Sequence, residues 1–387
     1  PRARLIAVLG ALPFEDALPR FATFALAGPR FAPDWLHHAR DGPGGRAVTA
    51  TARRRWSKEL ESEIDGIAMG RTGPVLLHGY DPPAGGKWVD SVIPGKLAAL
   101  DRHSGELLWV GPCEVGYGRG FGAAIGKDDD IWVLGPGTVE HRVVRMSLAS
   151  GELRDVAEIP AFDEAHVDSE LGLCIAPSRV FGVGFEALSE AWAYSRNGER
   201  YHLVDRSGAW AFVVYTDLKR KLQGVLRLDA RTGEPSDPFV PAQLPGIRQI
   251  ACIDEAVVLL GSGIGKMLPP DLRAGFQAEV MLHGGGEMDT LSLVALRPDA
   301  RPGEVPLWHR ILSTQPVDDQ PEVSICADSG KVYLMRGAML EALDGLSGRP
   351  LGNWTVPGLD LQIGWQVVDG GGLLAEETRA SLFELPA

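Results

Sequence analysis

Apolar residues recur at alternate positions in short runs along this chain, and each run stops at a small cluster of turn formers. The clearest unit is Leu97-Ala98-Ala99-Leu100-Asp101-Arg102-His103-Ser104-Gly105-Glu106-Leu107-Leu108-Trp109. Its alternation predicts a half-buried strand. The Asp that ends this strand can accept hydrogen bonds from turn amides, and Ser-Gly supplies the positive φ that reverses the chain. The next strand carries a large aromatic. The unit returns at 143–151 (VVRMSLASG), 225–233 (VLRLDARTG) and 339–348 (MLEALDGLSG), and in degraded form at 294–308. Trp109, Trp308 and Trp354 mark the ends of such units, and Trp56 reads as an earlier member of the series. An indole at that place can fill the wedge between adjacent sheets.

A second pattern opens each unit. A strand of small residues, a polar or Gly turn and a greasier strand follow one another at 67–77, 123–134, 173–183, 251–260 and 325–335. Ala68, Ala124, Cys174, Cys252 and Cys326 fall at matching places. This is the composition expected of innermost strands that converge on an axis, where only small side chains fit. Four-stranded units stacked around an axis make a closed all-β propeller, in which closure removes exposed sheet edges.

Spacing sets the blade count. Gly105 to Gly151 spans one repeat, and Gly151 to Gly233 spans two, with the hairpin signal Asn197-Gly198 in the gap. Gly233 to Gly348 is too long for two, and the surplus sits in an insertion at 261–289. Turns of this kind stand at Gly105, Gly151, Gly198, Gly233, Gly303 and Gly348. Two further blades are expected: one over about Leu12–Leu60 ending in Trp56, and one over Leu359–Leu385 with room for three strands. The N-terminal strand Arg4–Leu9 would complete the last blade and close the ring. The expectation is a single propeller domain over residues 1–387 with eight four-stranded blades, seven being the alternative.

The run LAALDRHSGELLW resembles the PQQ-like repeat of quinoprotein alcohol dehydrogenases and of the outer-membrane assembly propellers related to BamB. The resemblance covers most of the chain from about Ile67 to Pro357 and implies a fold far more than a function. For the dehydrogenases it would imply two adjacent cysteines beside the quinone, and carboxylate and amide ligands for a calcium or lanthanide ion. The four cysteines here, Cys113, Cys174, Cys252 and Cys326, are nowhere adjacent, and no matching ligand set is present. No quinone, metal or other cofactor is therefore expected.

Composition narrows the partners. The chain carries 48 glycines and 28 prolines, which suits many short strands joined by tight turns. A net charge of −13 repels phosphate backbones, so nucleic acid is not an expected partner. No stretch approaches the roughly 20 apolar residues of a membrane span. The absence of any CxxC pair excludes a zinc ribbon. Three cysteines at one repeated buried position favour free thiols and a cytoplasmic setting, the periplasm being the alternative if a leader was removed. The richness in Ala, Gly, Arg and Pro points to a bacterial source.

Candidate chemistry gathers in long loops. Connections from an outer strand to the next inner strand share a face with those between second and third strands. That face would display the ligand-binding candidates His37, Tyr80, Asp81, Trp88, Tyr117, Arg119, Lys266 and His283. The segment 160–170 (PAFDEAHVDSE) is expected to be one of these loops. Glu164, His166 and Asp168 alternate within it, so an extended chain places them on one side. A carboxylate beside a histidine can raise its pKa and support acid/base catalysis. The competing reading is a solvated acidic loop. Cys113 is expected in a loop beside Glu114, which disfavours its thiolate. Asp128-Asp129-Asp130 is expected to be a solvated turn. In the insertion, Pro269-Pro270-Asp271 opens a helix whose Leu272, Phe276 and Val280 share one apolar face. That helix is either a lid or docking flap over the axis, or an element packed on the rim. No GxSxG, HExxH or phosphate-loop signature appears. The function expected is a non-catalytic propeller that binds a peptide, protein or small ligand on its long-loop face. The alternative is an axial-pocket enzyme of hydrolase, lyase or cyclase type in a bacterial biosynthetic pathway, since a site built from one residue per blade leaves no linear motif.

Overall fold

A computed structural model of the chain describes residues 50–80, 94–116, 120–126, 128–137, 140–236, 239–282, 285–314, 323–357, 364–376 and 378–385. These residues form seven antiparallel sheets, the blades of a β-propeller. Counting from the innermost strand to the outermost, blade 1 runs from Glu63–Met69 to Leu107–Gly116 and blade 2 from Gly122–Ile125 to Leu153–Ile159. Blade 3 runs from Glu164–Val167 to Ser189–Tyr194, and blade 4 from Glu199–Ser207 to Val240–Leu244. Blade 5 runs from Gly246–Ile253 to Trp308–Ser313, and blade 6 from Val323–Asp328 to Pro350–Thr355. Blade 7 takes three strands from the C-terminal region, Gly364–Val368, Gly371–Glu376 and Arg379–Glu384, and its outermost strand, Arg53–Glu59, from the other end of the chain.

Burial explains the pattern of each strand. The middle strands lie between two neighbouring blades, so Val75–Tyr80, Ala256–Ser262 and Leu291–Leu296 are buried along their whole length. The core is a set of layers between blades. Leu76, Leu97 and Ala99 of blade 1, for example, meet Ile131, Val133 and Val144 of blade 2.

The eight-blade expectation is corrected to seven, and the reason lies in blade 3. Gly198, with φ +85°, sits in the connection between blades 3 and 4 and not in a turn within a blade. The innermost strand of blade 3 is Glu164–Val167, and Cys174 belongs to the second strand, Leu171–Ala176. Cys174 therefore does not share the axial position of Ala68, Ala124, Cys252 and Cys326. Trp56 does not end a separate blade over Leu12–Leu60. Its strand pairs antiparallel with Arg379–Glu384, with Trp56 opposite Leu382, and this is the strand that closes the ring. The closing role expected of Arg4–Leu9 thus falls to Arg53–Glu59, and Arg4–Leu9 itself lies outside the described residues. Just before the closing strand, Ala50–Thr51 adds in parallel to the outer edge of blade 6.

Two smaller expectations also change. Cys113 lies in the outer strand of blade 1, where burial pushes its thiol up to about 12. Asp130 is not solvated: it opens the second strand of blade 2, is 2% exposed, and accepts hydrogen bonds from Arg145 Nε at 2.5 Å and from Arg154.

The repeated turn that ends in glycine, opened by Asp101, Asp229 and Asp344 and in blade 2 by Ser147, has a structural partner in the preceding blade. The indole N–H of Trp56 donates to the carbonyl of Arg102 at 2.9 Å, and that of Trp109 to Leu148 at 2.9 Å. Trp192 reaches the Ala230 carbonyl at 3.0 Å and Trp308 the Gly345 carbonyl at 2.8 Å. Each ring lies against the glycine that ends the turn, namely Gly105, Gly151, Gly233 and Gly348, at φ between +67° and +71°. A Cβ on any of the four would run into the indole. The carboxylate that opens the turn holds its shape. Asp101 Oδ1 accepts from the His103 amide at 3.0 Å, the Ser104 amide at 2.7 Å and the Ser104 hydroxyl at 2.9 Å. Asp229 makes the same three bonds in blade 4, and Asp344 accepts from the Ser347 amide and hydroxyl in blade 6. Trp192 was not among the aromatics singled out from the sequence. Trp354 packs instead between blades 6 and 7, beside Leu374 and Phe383.

This contact predicts a difference between two glycines. Gly151→Ala meets both a left-handed backbone and the Trp109 ring, whereas Gly303→Ala, at φ +80° with open space around it, meets the backbone strain alone. We expect Gly303→Ala to lower unfolding free energy by about 1–3 kcal/mol and Gly151→Ala to lower it clearly further, as read by denaturant titration. Equal losses would show that the indole contact adds nothing.

Candidate functional site

Strand direction assigns the loops to two ends of the propeller. Each innermost strand runs away from the long-loop end, and the Asp-to-Gly turns lie at the other end. The insertion falls at the long-loop end, between the second and third strands of blade 5. It contains a 3-10 turn, Ile264–Met267, and helix α1, Pro270–Leu282. Phe276 and Val280 are buried with Leu268, with Leu272 and Ile311 packed against them. Ile311 belongs to the outer strand of blade 5, so α1 is seated on the rim. Glu287 ties the return of the insertion to the helix, accepting from Arg273 Nε at 2.9 Å, Arg273 Nη2 at 3.2 Å and Gln277 at 2.7 Å. The helix ring Phe276 also lies 5.8 Å from His309, whose pKa burial pushes down to about 4. Away from this anchored side, Met281, Leu282 and Met288 are 52%, 64% and 40% exposed.

The segment carrying Glu164, His166 and Asp168 is not a loop. Glu164–Val167 is the innermost strand of blade 3, and 168–170 is the short turn at the far end. The three side chains meet different neighbours. Glu164 lines a cavity of about 230 Å³ together with Ala165, Leu203, Val204, Gln249, Ile250 and Ile325, from the innermost strands of blades 3 to 6. Loss of water contact, with a smaller contribution from Asp163, pushes its carboxyl up to about 7. His166 Nδ1 lies 3.0 Å from Asp205 Oδ1 in blade 4. Desolvation opposes charging of this histidine, but Asp205 and Asp168 outweigh it and its pKa is raised. Asp168 caps its own turn, accepting from the amides of Glu170 at 2.7 Å and Leu171 at 3.1 Å, and pairs with Arg206, which also holds Glu170 at 2.9 Å.

Among the remaining candidates, Tyr80 is buried and donates to Glu63 Oε2 at 2.6 Å. Lys266 is half-buried in the 3-10 turn, where its charge helps to hold the Glu287 carboxyl below its ordinary value. His37, Asp81, Trp88, Tyr117, Arg119 and His283 lie outside the described residues.

Several polar residues near the axis were not legible as partners. Asp205 Oδ2 accepts from the Cys252 amide of blade 5 at 2.7 Å, and Gln249 Oε1 accepts from the Ile325 amide of blade 6 at 2.7 Å. Gln366 of blade 7 brackets Met69 of blade 1, accepting from its amide at 2.8 Å and donating to its carbonyl at 3.2 Å. For Gln249 and Gln366 the available signal was a polar residue among mostly apolar neighbours, whereas Asp205 lies in the polar strand Glu199–Ser207 and gave none. His78 was also missed. It is fully buried, stacks on Phe121 at 4.4 Å, shares Nδ1 with the Asp65 carboxylate and places Nε2 3.2 Å from the Val115 carbonyl. Among the described residues, no group of three or more His, Cys, Asp and Glu side chains could hold a metal ion, and no helix is long and apolar enough to cross a membrane.

No family model matches the chain, and no curated protein matches it. Its likeness is to solved β-propellers. BamB from Moraxella catarrhalis is 14% identical over 86% of this chain and 100% of its own, with a TM-score of 0.44. The computationally designed protein Ika8 is 9% identical over 86% of this chain and 99% of its own, at 0.47. The WD40 domain of Pan2 from Neurospora crassa is 10% identical over 87% of this chain and 98% of its own, at 0.52. At such identities the Pan2 likeness speaks for the fold alone.

Two predictions follow from the axial residues. Asp205→Ala strips a carboxylate from both His166 and the Cys252 amide, and should lower stability by about 1–3 kcal/mol, measured by denaturant unfolding. The second concerns pH. The folded pKa of Glu164 lies near 7 against an ordinary 4.5, so the folded state holds its proton more tightly than the unfolded chain. Its contribution to stability therefore falls as pH rises from about 4.5 to about 7. Glu164→Gln should be more stable than the parent above pH 7, with the gap closing toward pH 4.5. A gap independent of pH would rule this out.

Proposed function

We propose that this chain is a non-catalytic propeller of the PQQ-like kind whose long-loop face binds a protein or peptide. The observation that carries the proposal is the insertion. One side of α1 is anchored to blade 5 by Phe276, Val280 and the Glu287 bonds, while Met281, Leu282 and Met288 stand in solvent at the same end of the propeller. A fixed element that presents flexible, unbranched methionines beside an exposed leucine suits adaptable apolar contact with a partner. The seating of Trp56, Trp192 and Trp308 on Asp-to-Gly turns, and of Trp109 on the equivalent Ser147-to-Gly151 turn, supports the repeat assignment. Asp168, one of the three acid/base candidates, is spent on capping its own turn and on Arg206.

The test compares faces. Leu282→Glu combined with Met288→Glu should reduce recovery of a specific cross-linked partner at least tenfold. Leu346→Glu, exposed in a turn at the opposite end, should leave it unchanged. Retention of the partner by the double variant, or equal loss with Leu346→Glu, would refute the proposal.

A further inference from the structure

The turn between the second and third strands of blade 4, Trp210–Asp217 and Leu222–Asp229, lies at the long-loop end and reads Leu218-Lys219-Arg220-Lys221. All four residues are exposed, Leu218 to 54%. The turn is built like the Asp101 turn at the other end. Asp217 Oδ1 accepts from the Lys219 amide at 2.9 Å and the Arg220 amide at 3.0 Å, and the Lys221 amide donates to the Asp217 carbonyl at 2.7 Å. Lys221 takes the place of the closing glycine, at φ +56°. Glycine holds that backbone without strain, so a lysine there stands against the local preference.

The Leu218 amide donates to the Gly198 carbonyl at 2.8 Å, which brings in the connection between blades 3 and 4 with its exposed Arg196 and Arg200. Over residues 195–201 and 216–222, five cations stand against two carboxylates, in a chain of net charge −13. Arg196 lies 3.5 Å from Glu199 and Arg220 3.7 Å from Asp217, exposed pairs that hold a side chain only weakly. Among the described residues, Lys219, Lys221 and Arg200 make no side-chain hydrogen bond or ion pair.

We infer that the long-loop end of blade 4 docks a short acidic segment of a partner protein, its carboxylates meeting Lys219, Lys221 and Arg200 and an apolar residue between them meeting Leu218. This rests on the long-loop face being the partner-binding face, and it adds the chemistry of the partner. Charge selects the occupant, because complementary charge sets both orientation and encounter rate. A nucleic acid or an anionic bilayer extends well past the patch, where the acidic remainder of the chain repels it. A short segment senses only the charges within about 10 Å. Leu218 gives an apolar residue of the segment a place to leave water. The insertion adjoins this end of blade 4, since Ile264 is buried with Phe212, Val214 and Leu244. A partner seated on the apolar surface of α1 thus has the basic turn on the adjacent blade.

The test is fluorescence anisotropy of a labelled peptide, DELEDFDE, titrated with the full chain at pH 7, with NQLQNFNQ as the uncharged control. The acidic peptide should bind saturably at about 50 mM salt and about fivefold more weakly at roughly 200 mM, and the control should not bind. Lys219→Glu with Lys221→Glu should weaken binding by about tenfold or more. Arg301→Glu with Lys331→Glu, exposed residues at the opposite end, makes the same change in net charge and should leave binding unchanged. Lys221→Gly should weaken binding without lowering the thermal midpoint, since it relieves the backbone at that position. Leu282→Glu with Met288→Glu should leave peptide binding unchanged, so this inference and the α1 reading fail separately. Circular dichroism of each variant controls for folding. Absence of saturable binding by the acidic peptide, equal binding by the control, or equal weakening by the two charge reversals would overturn the inference. So would binding to phosphatidylserine vesicles or duplex DNA in place of the peptide.

Discussion

An indole seated on the turn glycine of the next blade is the contact around which this propeller is organised. Sheets that radiate from an axis diverge with distance, so the space between neighbours widens outward. Small side chains such as Ala68, Ala124 and Cys252 suffice near the axis, whereas the outer gap needs something large. Tryptophan fills it and also carries one N–H that must be satisfied when buried. The Asp-to-Gly turn meets both demands. In the turn opened by Asp101 the carboxylate fixes the loop, the Arg102 carbonyl accepts the Trp56 indole proton, and Gly105 leaves room for the ring. Of the interfaces without such a docking, that between blades 2 and 3 uses a different aromatic contact, Trp132 stacked on Phe185 at 4.5 Å.

Near the axis a second set of links acts between blades. Innermost strands have one edge with no further strand to pair with, so some of their amides need another acceptor. Asp205, Gln249 and Gln366 supply it across blade boundaries. Polar side chains in that region are therefore largely committed to holding the ring. Against this background Glu164 is informative, because it occupies the same type of strand without such a commitment. His166, two residues along the same strand, and Asp168, in the turn that follows it, are each committed to a separate task.

The insertion in blade 5 obeys a similar division. An amphipathic helix needs one apolar stripe to dock, and Phe276 and Val280 provide it. Met281 and Leu282 extend apolar surface beyond that stripe, and the packing of α1 leaves them in water. A propeller held rigid by its tryptophan contacts can carry such a surface at a loop end without altering its blades, and this separation of scaffold from surface is why the fold alone says little about function.

The sequence by itself determined the local grammar. Strand alternation, the Asp-to-Gly turns at Asp101, Asp229 and Asp344, the small residues of the inner strands, and the α1 stripe of Leu272, Phe276 and Val280 all follow from periods and turn chemistry confined to a few neighbouring residues. Only the tertiary structure decided how many blades those pieces make, which strand closes the ring, and what each candidate side chain touches. The single Trp56 in the otherwise polar run Arg53–Glu59 reads the same whether that strand ends a first blade or completes the last. The strand of Glu164 reads as a loop until its pairing with Leu171–Ala176 is seen. The partners that matter lie far apart along the chain, as with Trp56 and Arg102 or Gln366 and Met69. Such pairings are set by closure of the ring, a constraint on the whole sheet array that no short window of sequence contains.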